Sequence, residues 1–304
     1  MADPVLIVGA GRAGLSLAVA LRRAGQPVHL YARRPERLAA VTAWLARHGV
    51  DVAVTDRAER AQLVIFAVPD RALSAAAQAM AELTHPNASW LHLSGAAPWQ
   101  VLQVAGGATE LAAMHPLAAL PDPLDLDDAA AAIRPLHGAT YAVAGTATAA
   151  AQARALVDLL AGHVVTVADS ARALYHASAA LAANDLVALL HVAEEAAIAA
   201  GLSPPQARAG LSHLMQTALD AVQRLPATAP LRMGLTGAVA RGDAATLARH
   251  MQALADHDPA TALIHCELSS ELVELMREGG TLGPAALTAL DAVLAQTPRP
   301  SDPL

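Results

Sequence analysis

The chain has 304 residues, a formal net charge of −7 and a hydrophobic content of 55%, so it is long enough for two domains with a core each. All 20 basic residues are arginines, which excludes lysine Schiff-base chemistry and the lysine of a nucleotide-binding P-loop. The charges form no long basic run and Cys266 is the single cysteine, so the sequence predicts neither a nucleic-acid surface nor a disulfide or multi-cysteine metal site.

The first half of the sequence alternates short apolar runs with Ala/Leu-rich segments, a pattern typical of a parallel sheet covered by helices. The predicted strands are residues 5–8, 28–31, 52–54, 63–68, 90–93, 111–114, 140–144 and 164–167. The helices predicted among them are residues 13–24, 35–48, a helix beginning at residue 71, and 146–160. This order predicts an α/β domain over residues 1–168 with a doubly wound, mostly parallel sheet of the Rossmann type.

Beyond residue 168 the strand pattern gives way to long Ala/Leu-rich segments. Helices are predicted over residues 171–200, 203–225 and 244–256, followed by shorter ones, which indicates an all-α domain over residues 169–304 and a ligand cleft between the domains. We expect charges or prolines to interrupt every apolar stretch before about 18 residues, so no membrane contact is predicted. The single cysteine and the lack of a signal-peptide pattern favour the cytoplasm.

The turn between the first strand and the first helix matches G-x-G-x-x-G in the context that this motif requires. The first glycine allows a tight turn, the second lets the backbone approach a pyrophosphate, and the third lets the helix pack closely on the strand. The helix start then faces negative charge. A glycine-rich turn without a ligand is the alternative, but the position favours a dinucleotide site formed by Gly9, Ala10, Gly11, Arg12, Ala13 and Gly14.

The end of the second predicted strand indicates which dinucleotide binds. A carboxylate at this point would bind the ribose 2′-hydroxyl of NAD, but the segment reads Tyr31-Ala32-Arg33-Arg34 and has none. Guanidinium groups bind a 2′-phosphate instead. We therefore predict NADP(H), with Tyr31, Arg33 and Arg34 at its adenosine end; the alternative is that both arginines are ordinary solvated residues at a helix start.

Two further strand ends are expected to line the cofactor, because ligands of open α/β sheets lie at the carboxyl edge. After the fourth predicted strand come Ala67, Val68 and Pro69, and after the fifth comes Ser94. Asp70 is expected to be the N-cap of the following helix or to contact the ligand.

Two histidines end neighbouring predicted strands. Hydride transfer requires little more of a protein than placing the substrate and supplying a proton or hydrogen bond to the developing anion. We expect His115, held extended by Pro116, to be the proton donor and His92 to contact the substrate; a hydrogen-bonded structural role is the alternative for each histidine.

The first helix of the second domain carries His176 and Asn184 on one stripe with Ala180. A buried Asn among Ala and Leu is costly unless it bonds to a neighbouring helix or to a ligand. His176 and Asn184 are therefore the other catalytic candidates, whereas we expect Tyr175 to be structural.

A glycine-punctuated loop over residues 235–243 supplies the last candidates. Arg241 can clamp a substrate carboxylate and Thr236 can contact the substrate; the alternative is an Arg241–Asp243 pair that only orders the loop. The spacing of His250, His257 and His265 does not indicate a metal site.

Together, the motifs GAGRAG, FAVPD, HLSG, MHP, YHASAALAAND and LTGAVARGD resemble, over nearly the whole chain, a bacterial family of Rossmann-like NADP oxidoreductases with a C-terminal helical domain. This family is related to pyrroline-5-carboxylate reductase, ketopantoate reductase, the deazaflavin-dependent NADP reductases and the β-hydroxyacid dehydrogenases. These relatives share a Rossmann domain followed by a helical, often dimerising domain, and they imply the reaction class only. We expect a homodimer formed through the helical domain.

The resemblance does not carry over a mechanism. In ketopantoate reductase and the β-hydroxyacid dehydrogenases a catalytic Lys lies one helical turn before an Asn. If that Asn is Asn184, Ala180 stands where the Lys belongs, and His176 replaces the Lys only by hypothesis.

These observations predict an NADP(H)-dependent oxidoreductase that reduces a small polar carbonyl or imine, or oxidises a hydroxy acid, in the interdomain cleft. A non-catalytic NADP(H)-binding sensor or partner-binding module is the alternative, since the Lys is missing. A purely structural helical dimeriser would require an empty glycine loop.

Overall fold

The computed structural model describes residues 3–55, 61–85 and 87–296. The chain divides into two compact units, Met1–Ala183 and Asn184–Leu304. Eight strands form one sheet among the described residues of the first unit: β1 Val5–Val8, β2 Val28–Tyr31, β3 Ala53–Thr55, β4 Leu63–Phe66, β5 Ser89–His92, β6 Glu110–Pro116, β7 Thr140–Gly145 and β8 His163–Val165.

The order of strands in the sheet is β3-β2-β1-β4-β5-β6-β7-β8. All neighbouring strands are parallel except β6 and β7, which are antiparallel and pair His115 with Ala142. The reversal in order on either side of β1 is that of a doubly wound sheet. The predicted fold class, a mostly parallel Rossmann-type sheet followed by helices, is confirmed.

The central strands are apolar throughout because both faces of the sheet are buried. In β1, Val5 and Ile7 belong to one core cluster, whereas Leu6 and Val8 belong to another on the opposite face. The helices of this unit are α1 Arg12–Arg23, α2 Pro35–Arg47, α3 Leu73–Met80, α4 Ala129–Ile133 and α5 Ala147–Leu159. A parallel sheet needs such a cover on both sides.

The helix α6, Arg172–Ala199, begins in the first unit and ends in the second. The second unit continues with α7 Pro204–Gln223, α8 Ala244–His257, α9 Pro259–Glu278 and α10 Pro284–Ala295. A core cluster that includes Leu247, Cys266 and Leu290 joins α8, α9 and α10. The sequence pattern predicted only shorter helices after α8, which has 14 residues. The helix α10 is shorter, with 12 residues, but α9 is longer, with 20.

The predicted domain boundary at residue 169 lies at the start of α6, whereas the compact units divide inside this helix, between Ala183 and Asn184. The reason is that the first turns of α6 bond to the sheet domain: Arg172 binds the carbonyl of Ser94, and Tyr175 binds His115.

Among the described residues, one helical segment, Asp169–Ala199, is long and apolar enough to cross a membrane by length and composition, with a mean hydropathy of 1.3 over its best 18-residue window. Asp185 interrupts this segment, as expected from the sequence, and is the single charged side chain between Arg172 and Glu194. None of this window is buried within the chain.

Candidate active site

The glycine loop between β1 and α1 has the geometry that its motif requires. Gly9 has a φ of +117°, and a Cβ here would collide with the carbonyl oxygen of Ala67. A Cβ at Gly14 would collide with the carbonyl oxygen of Gly9, so α1 packs directly on the loop. At Gly11, the N-cap of α1, nothing lies within 4 Å of a Cβ position. The loop therefore fits a pyrophosphate, since its middle glycine is open to a ligand at a helix start.

The remaining predicted loop residues differ in exposure: Ala10 is buried, Ala13 is half-buried and Arg12 is exposed. Arg37 of α2 braces the loop, because its Nε donates a 2.7 Å hydrogen bond to the carbonyl of Ala10 and its Nη2 lies 3.1 Å from the carboxylate of Asp122. The sequence analysis missed Arg37, since these contacts join segments 27 and 85 positions apart.

A pocket opens where β1, β2 and β4 end. Its lining residues are Val8, Gly9, Tyr31, Ala32, Arg33, Val68, Ala76, Ala79 and Met80. Four predicted cofactor residues are among them, namely Gly9, Tyr31, Arg33 and Val68. Arg34 is not; it is the exposed N-cap of α2. A mostly apolar pocket with a guanidinium group in its lining suits the adenosine end of a phosphorylated dinucleotide.

The ends of β4 and β5 are joined by Asp70 and Ser94. The Ser94 hydroxyl donates to the Asp70 carboxylate at 2.8 Å and accepts from the N–H of Ala97 at 2.9 Å. The Ser94 N–H donates to Nδ1 of His92, and its carbonyl accepts from Arg172. Every polar group of Ser94 thus has a protein partner, which argues against the predicted cofactor contact.

The three residues that follow β4 are also predicted to contact the cofactor. Ala67 and Val68 are half-buried and Pro69 is exposed. The expectation that Asp70 caps a helix is wrong, because Pro69 is the N-cap of the turn and Asp70 is committed to Ser94.

His92 is fully buried, with 0% of its surface exposed. Because its Nδ1 accepts from Ser94, its proton is on Nε2, which donates to the carbonyl of Pro98 at 3.3 Å. Burial is the largest influence on the pKa of His92 and lowers it to about 4. Its geometry is that of a neutral residue that shapes the turn after β5 and argues against the predicted substrate contact.

His115 lies near the end of β6 and meets two residues of α6. Its Nδ1 is 3.0 Å from the Tyr175 hydroxyl, and its ring centroid is 5.9 Å from that of His176. A Cβ at Gly95 would lie 2.8 Å from Nε2 of His115 and 2.7 Å from Nδ1 of His176. The structure therefore brings these two predicted catalytic histidines together beside Gly95; His115 is half-buried and His176 is exposed.

Burial keeps the His115–Tyr175 pair neutral. Burial lowers the pKa of His115 to about 4, and the charges of His176 and Arg172 act in the same direction. Burial also raises the pKa of Tyr175, an effect that Arg172 opposes. When the Tyr175 hydroxyl donates to Nδ1, the imidazole proton is on Nε2, the nitrogen that faces Gly95.

Arg172, the first residue of α6, is 1% exposed. Its Nη2 donates a 3.0 Å hydrogen bond to the carbonyl of Ser94, whereas its Nε and Nη1 have no hydrogen-bond partner. The sequence analysis missed both Arg172 and the role of Tyr175. The sequence did contain one signal: an arginine at the start of a predicted helix is unusual, because the positive end of the helix dipole disfavours a cation.

The other predicted residues belong to the second unit. Asn184, Thr236 and Arg241 are all exposed, so the expectation of a buried Asn184 is wrong. Asp243, at the end of the same loop, is the N-cap of α8 and accepts from the N–H of Thr246 at 2.9 Å. Among the residues that the structure describes, no group of three or more His, Cys, Asp or Glu side chains can hold a metal ion.

Two family models match the chain. Residues 3–116 match the Rossmann-like domain, and residues 139–272 match a domain of unknown function, DUF2520. No curated protein matches significantly. The DUF2520 match begins before the last two strands of the sheet, so it does not follow the boundary between the compact units.

Solved structures resemble the chain over most of its length. A protein from Thermotoga maritima is 18% identical, with a TM-score of 0.67 over 90% of this chain and 99% of that one. A protein from Bacteroides fragilis, provisionally named an NADP oxidoreductase, is 21% identical, with a TM-score of 0.67 over 89% and 97%. The pyrroline carboxylate reductase of Plasmodium falciparum with NADP bound is 10% identical, with a TM-score of 0.56 over 97% and 98%. These likenesses confirm the family resemblance at the level of the fold.

Proposed function

We propose that this chain, which joins a Rossmann-like domain to a DUF2520 domain, is an NADP(H)-dependent oxidoreductase. Its reaction is hydride transfer with a small polar carbonyl compound, imine or hydroxy acid. The observation that carries the proposal is the glycine loop, in which Gly9 and Gly14 permit no side chain while Gly11 is open at the start of α1.

The residues present fit the dinucleotide at both ends. Gly9, Gly11 and Gly14 would hold the pyrophosphate, and Tyr31 and Arg33 would hold the adenosine end, where β2 ends without a carboxylate. An arginine at this point supports NADP(H) over NAD(H). A relative with the same fold has NADP bound.

In this proposal, His115 and Tyr175 supply the proton to the substrate. The bound nicotinamide supplies or accepts the hydride. In the reducing direction, Nε2–H of His115 donates a hydrogen bond to the substrate oxygen or nitrogen and then its proton, while the Tyr175 hydroxyl proton moves to Nδ1. Water reprotonates the half-buried Tyr175, and the positive charge of Arg172 stabilises the transient phenolate. A neutral imidazole serves as the donor in this scheme.

The binding site is tested by one substitution in the loop. Gly11→Val places a branched side chain where the structure has open space, so the variant should fold but bind NADPH at least about tenfold more weakly, because the pyrophosphate cannot approach. Titration calorimetry with NADPH and NADH measures the affinities, and circular dichroism measures folding.

Gly210→Val is the matched control, since Gly210 also has open space beside it but lies on α7, outside the loop. It should bind NADPH like the wild type. If wild-type protein bound neither coenzyme, or if a folded Gly11→Val variant bound NADPH normally, the proposal would be wrong.

The proposed partner is a second copy of the chain, through the helical domain. Along α6, Leu174, Leu181 and Val187 are 76%, 67% and 66% exposed, which is typical of a surface that another protein covers. We propose the cytoplasm as the location, because the single cysteine suits a reducing compartment.

A further inference from the structure

Arg172 carries hydrogen-bonding capacity that the fold does not use. A guanidinium has five N–H donors. Here Nη2 binds the carbonyl of Ser94 at 3.0 Å, and the three N–H groups on Nε and Nη1 have no partner. Asp169 is the acid that acts on Arg172 most strongly, but its carboxylate accepts a 3.0 Å hydrogen bond from the amide of Gln100, and no ion pair with Arg172 is formed among the described residues.

An enclosed guanidinium without an anion is costly. Arginine stays protonated in proteins, so it cannot avoid this cost by losing its charge. The position adds to the cost, because Arg172 is the first residue of a helix of 28 residues, and the start of a helix is the end that disfavours a cation. An anion that binds from outside the chain would offset this cost.

Arg172 lies near His115 and His176, the two histidines that meet at Gly95. Arg172 bonds to Ser94, and the next residue, Gly95, faces Nε2 of His115 and Nδ1 of His176. The guanidinium of Arg172 and the proton-bearing nitrogen of His115 therefore lie against neighbouring residues of one dipeptide, Ser94 and Gly95.

We propose that Arg172 binds a carboxylate of the substrate, and that the substrate is a short α-keto acid, its imine, or the matching α-hydroxy or α-amino acid. The carboxylate accepts from unused N–H groups of Arg172, while the neighbouring oxygen or nitrogen faces Nε2 of His115. In the reducing direction the α-carbon gains the hydride and the α-oxygen or α-nitrogen gains the proton of His115. The reaction rests on the proposed function, whereas the anion site stands on Arg172 alone.

The geometry favours a carboxylate over a larger anion. A carboxylate is planar and smaller than a tetrahedral phosphate, and a planar guanidinium matches its two oxygens.

A pair of isosteres tests the proposal on the full-length wild-type protein in the presence of NADPH. Oxamate is an unreactive analogue of a short α-keto acid, and oxamide has the same shape without the charge. With arginine-selective ¹⁵N labelling, oxamate should shift one buried guanidinium resonance and release heat in calorimetry, and oxamide should do neither. No binding of oxamate, equal binding of oxamide, or equal binding of inorganic phosphate would overturn the proposal.

Substitution identifies the arginine. Arg172→Gln removes the charge and should weaken oxamate binding by about tenfold or more, while Arg154→Gln, an exposed arginine on α5, should leave it unchanged. If Arg172→Gln does not fold, Arg172→Lys replaces it in this test. Lysine keeps the charge without the planar fork, so this variant should bind oxamate more weakly than the wild type. Wild-type affinity in a folded Arg172 variant would exclude the site.

The two proposals fail in different ways. Protein that binds oxamate through Arg172 but binds neither NADPH nor NADH would contradict the proposed function and leave the anion site intact. Protein that binds NADPH but not oxamate would contradict only the anion site.

Discussion

Gly95 shows how one missing side chain positions a site. Imidazoles from β6 and α6 approach its α-carbon from different elements, and a methyl group there would lie within 3 Å of both. His115 has a phenol and no carboxylate as its hydrogen-bond partner, so burial decides its state and it stays neutral. A neutral donor is consistent with the proton path from Tyr175 through the ring.

Substituting the pair tests this path. His115→Gln removes the proton donor and should lower kcat by about a hundredfold or more, while NADPH affinity stays unchanged. Tyr175→Phe removes the proton source but leaves the ring, so a smaller loss of kcat is expected. Steady-state kinetics on a panel of ketones, imines and hydroxy acids measures both.

His163→Gln, an exposed change on the edge strand β8, is the control and should keep full activity. Unchanged turnover in both site variants would remove them from the mechanism. Wild-type protein that binds NADPH without turning over any of the panel would favour a non-catalytic sensor.

His92 makes stability depend on pH. Its pKa in the folded protein, about 4, lies below the unfolded value of 6.5, so between these values the unfolded state binds more protons. The contribution of neutral His92 is complete above pH 6.5 and is lost as the pH falls towards 4, at most roughly 3 kcal/mol of unfolding free energy.

Urea unfolding at pH 7.5 and 4.5 measures this effect. The loss of unfolding free energy at low pH should be smaller in His92→Gln, whose amide does not titrate, and as large as in wild type for the exposed control His137→Gln. An equal loss in His92→Gln would show that His92 is not the group responsible.

At the scale of elements, the central strands were predictable because their apolar runs reflect burial on both faces of the sheet. The reversed direction of β7 was not, since a strand's local pattern does not encode the direction of its neighbour. The helix α4 has only 5 residues, too few to show a helical period.

The glycine loop and the contacts of His115 and Arg172 differ in the same way: the loop is local in sequence and the contacts are not. The glycine loop was predictable because its six residues are contiguous and each glycine answers a local requirement. The contacts of His115 with Tyr175 and of Arg172 with Ser94 join positions 60 and 78 apart. Only the packing of α6 on the sheet domain makes those contacts, so the sequence could supply candidates but not partners.

Helix capping gives a test at this scale. Asp258 is the N-cap of α9 and accepts hydrogen bonds from the N–H groups of Ala260 and Thr261. Asp258→Ala should lower the unfolding free energy by about 1 kcal/mol. Asp256→Ala, two residues earlier, loses only an exposed bond to Gln252 and should change it by less than about 0.5 kcal/mol. Equal values in urea unfolding would contradict the role of the cap.

At the scale of the whole molecule, the exposed apolar side of α6 predicts self-association. Burying such leucines is favourable by about 25 cal/mol for each Å² removed from water. Wild-type protein should sediment as a dimer in analytical ultracentrifugation, and the double variant Leu174→Gln, Leu181→Gln as a monomer.

Leu83→Gln is the control for this experiment, because Leu83 is also exposed, at 46%, but follows α3. It should remain dimeric. Wild-type protein that sediments as a monomer at micromolar concentration would contradict the proposed dimer.

The steric closure at Gly9 and Gly14 has a consequence for redesign. Because the carbonyls of Ala67 and Gly9 occupy the space where side chains would be, the loop cannot be edited to change which coenzyme is accepted without disturbing the junction of strand and helix. A switch of preference is therefore confined to the end of β2, where Arg33 lies in the pocket and Arg34 begins α2. If the proposed preference for NADP(H) holds, an acidic residue introduced there should shift binding towards the non-phosphorylated coenzyme.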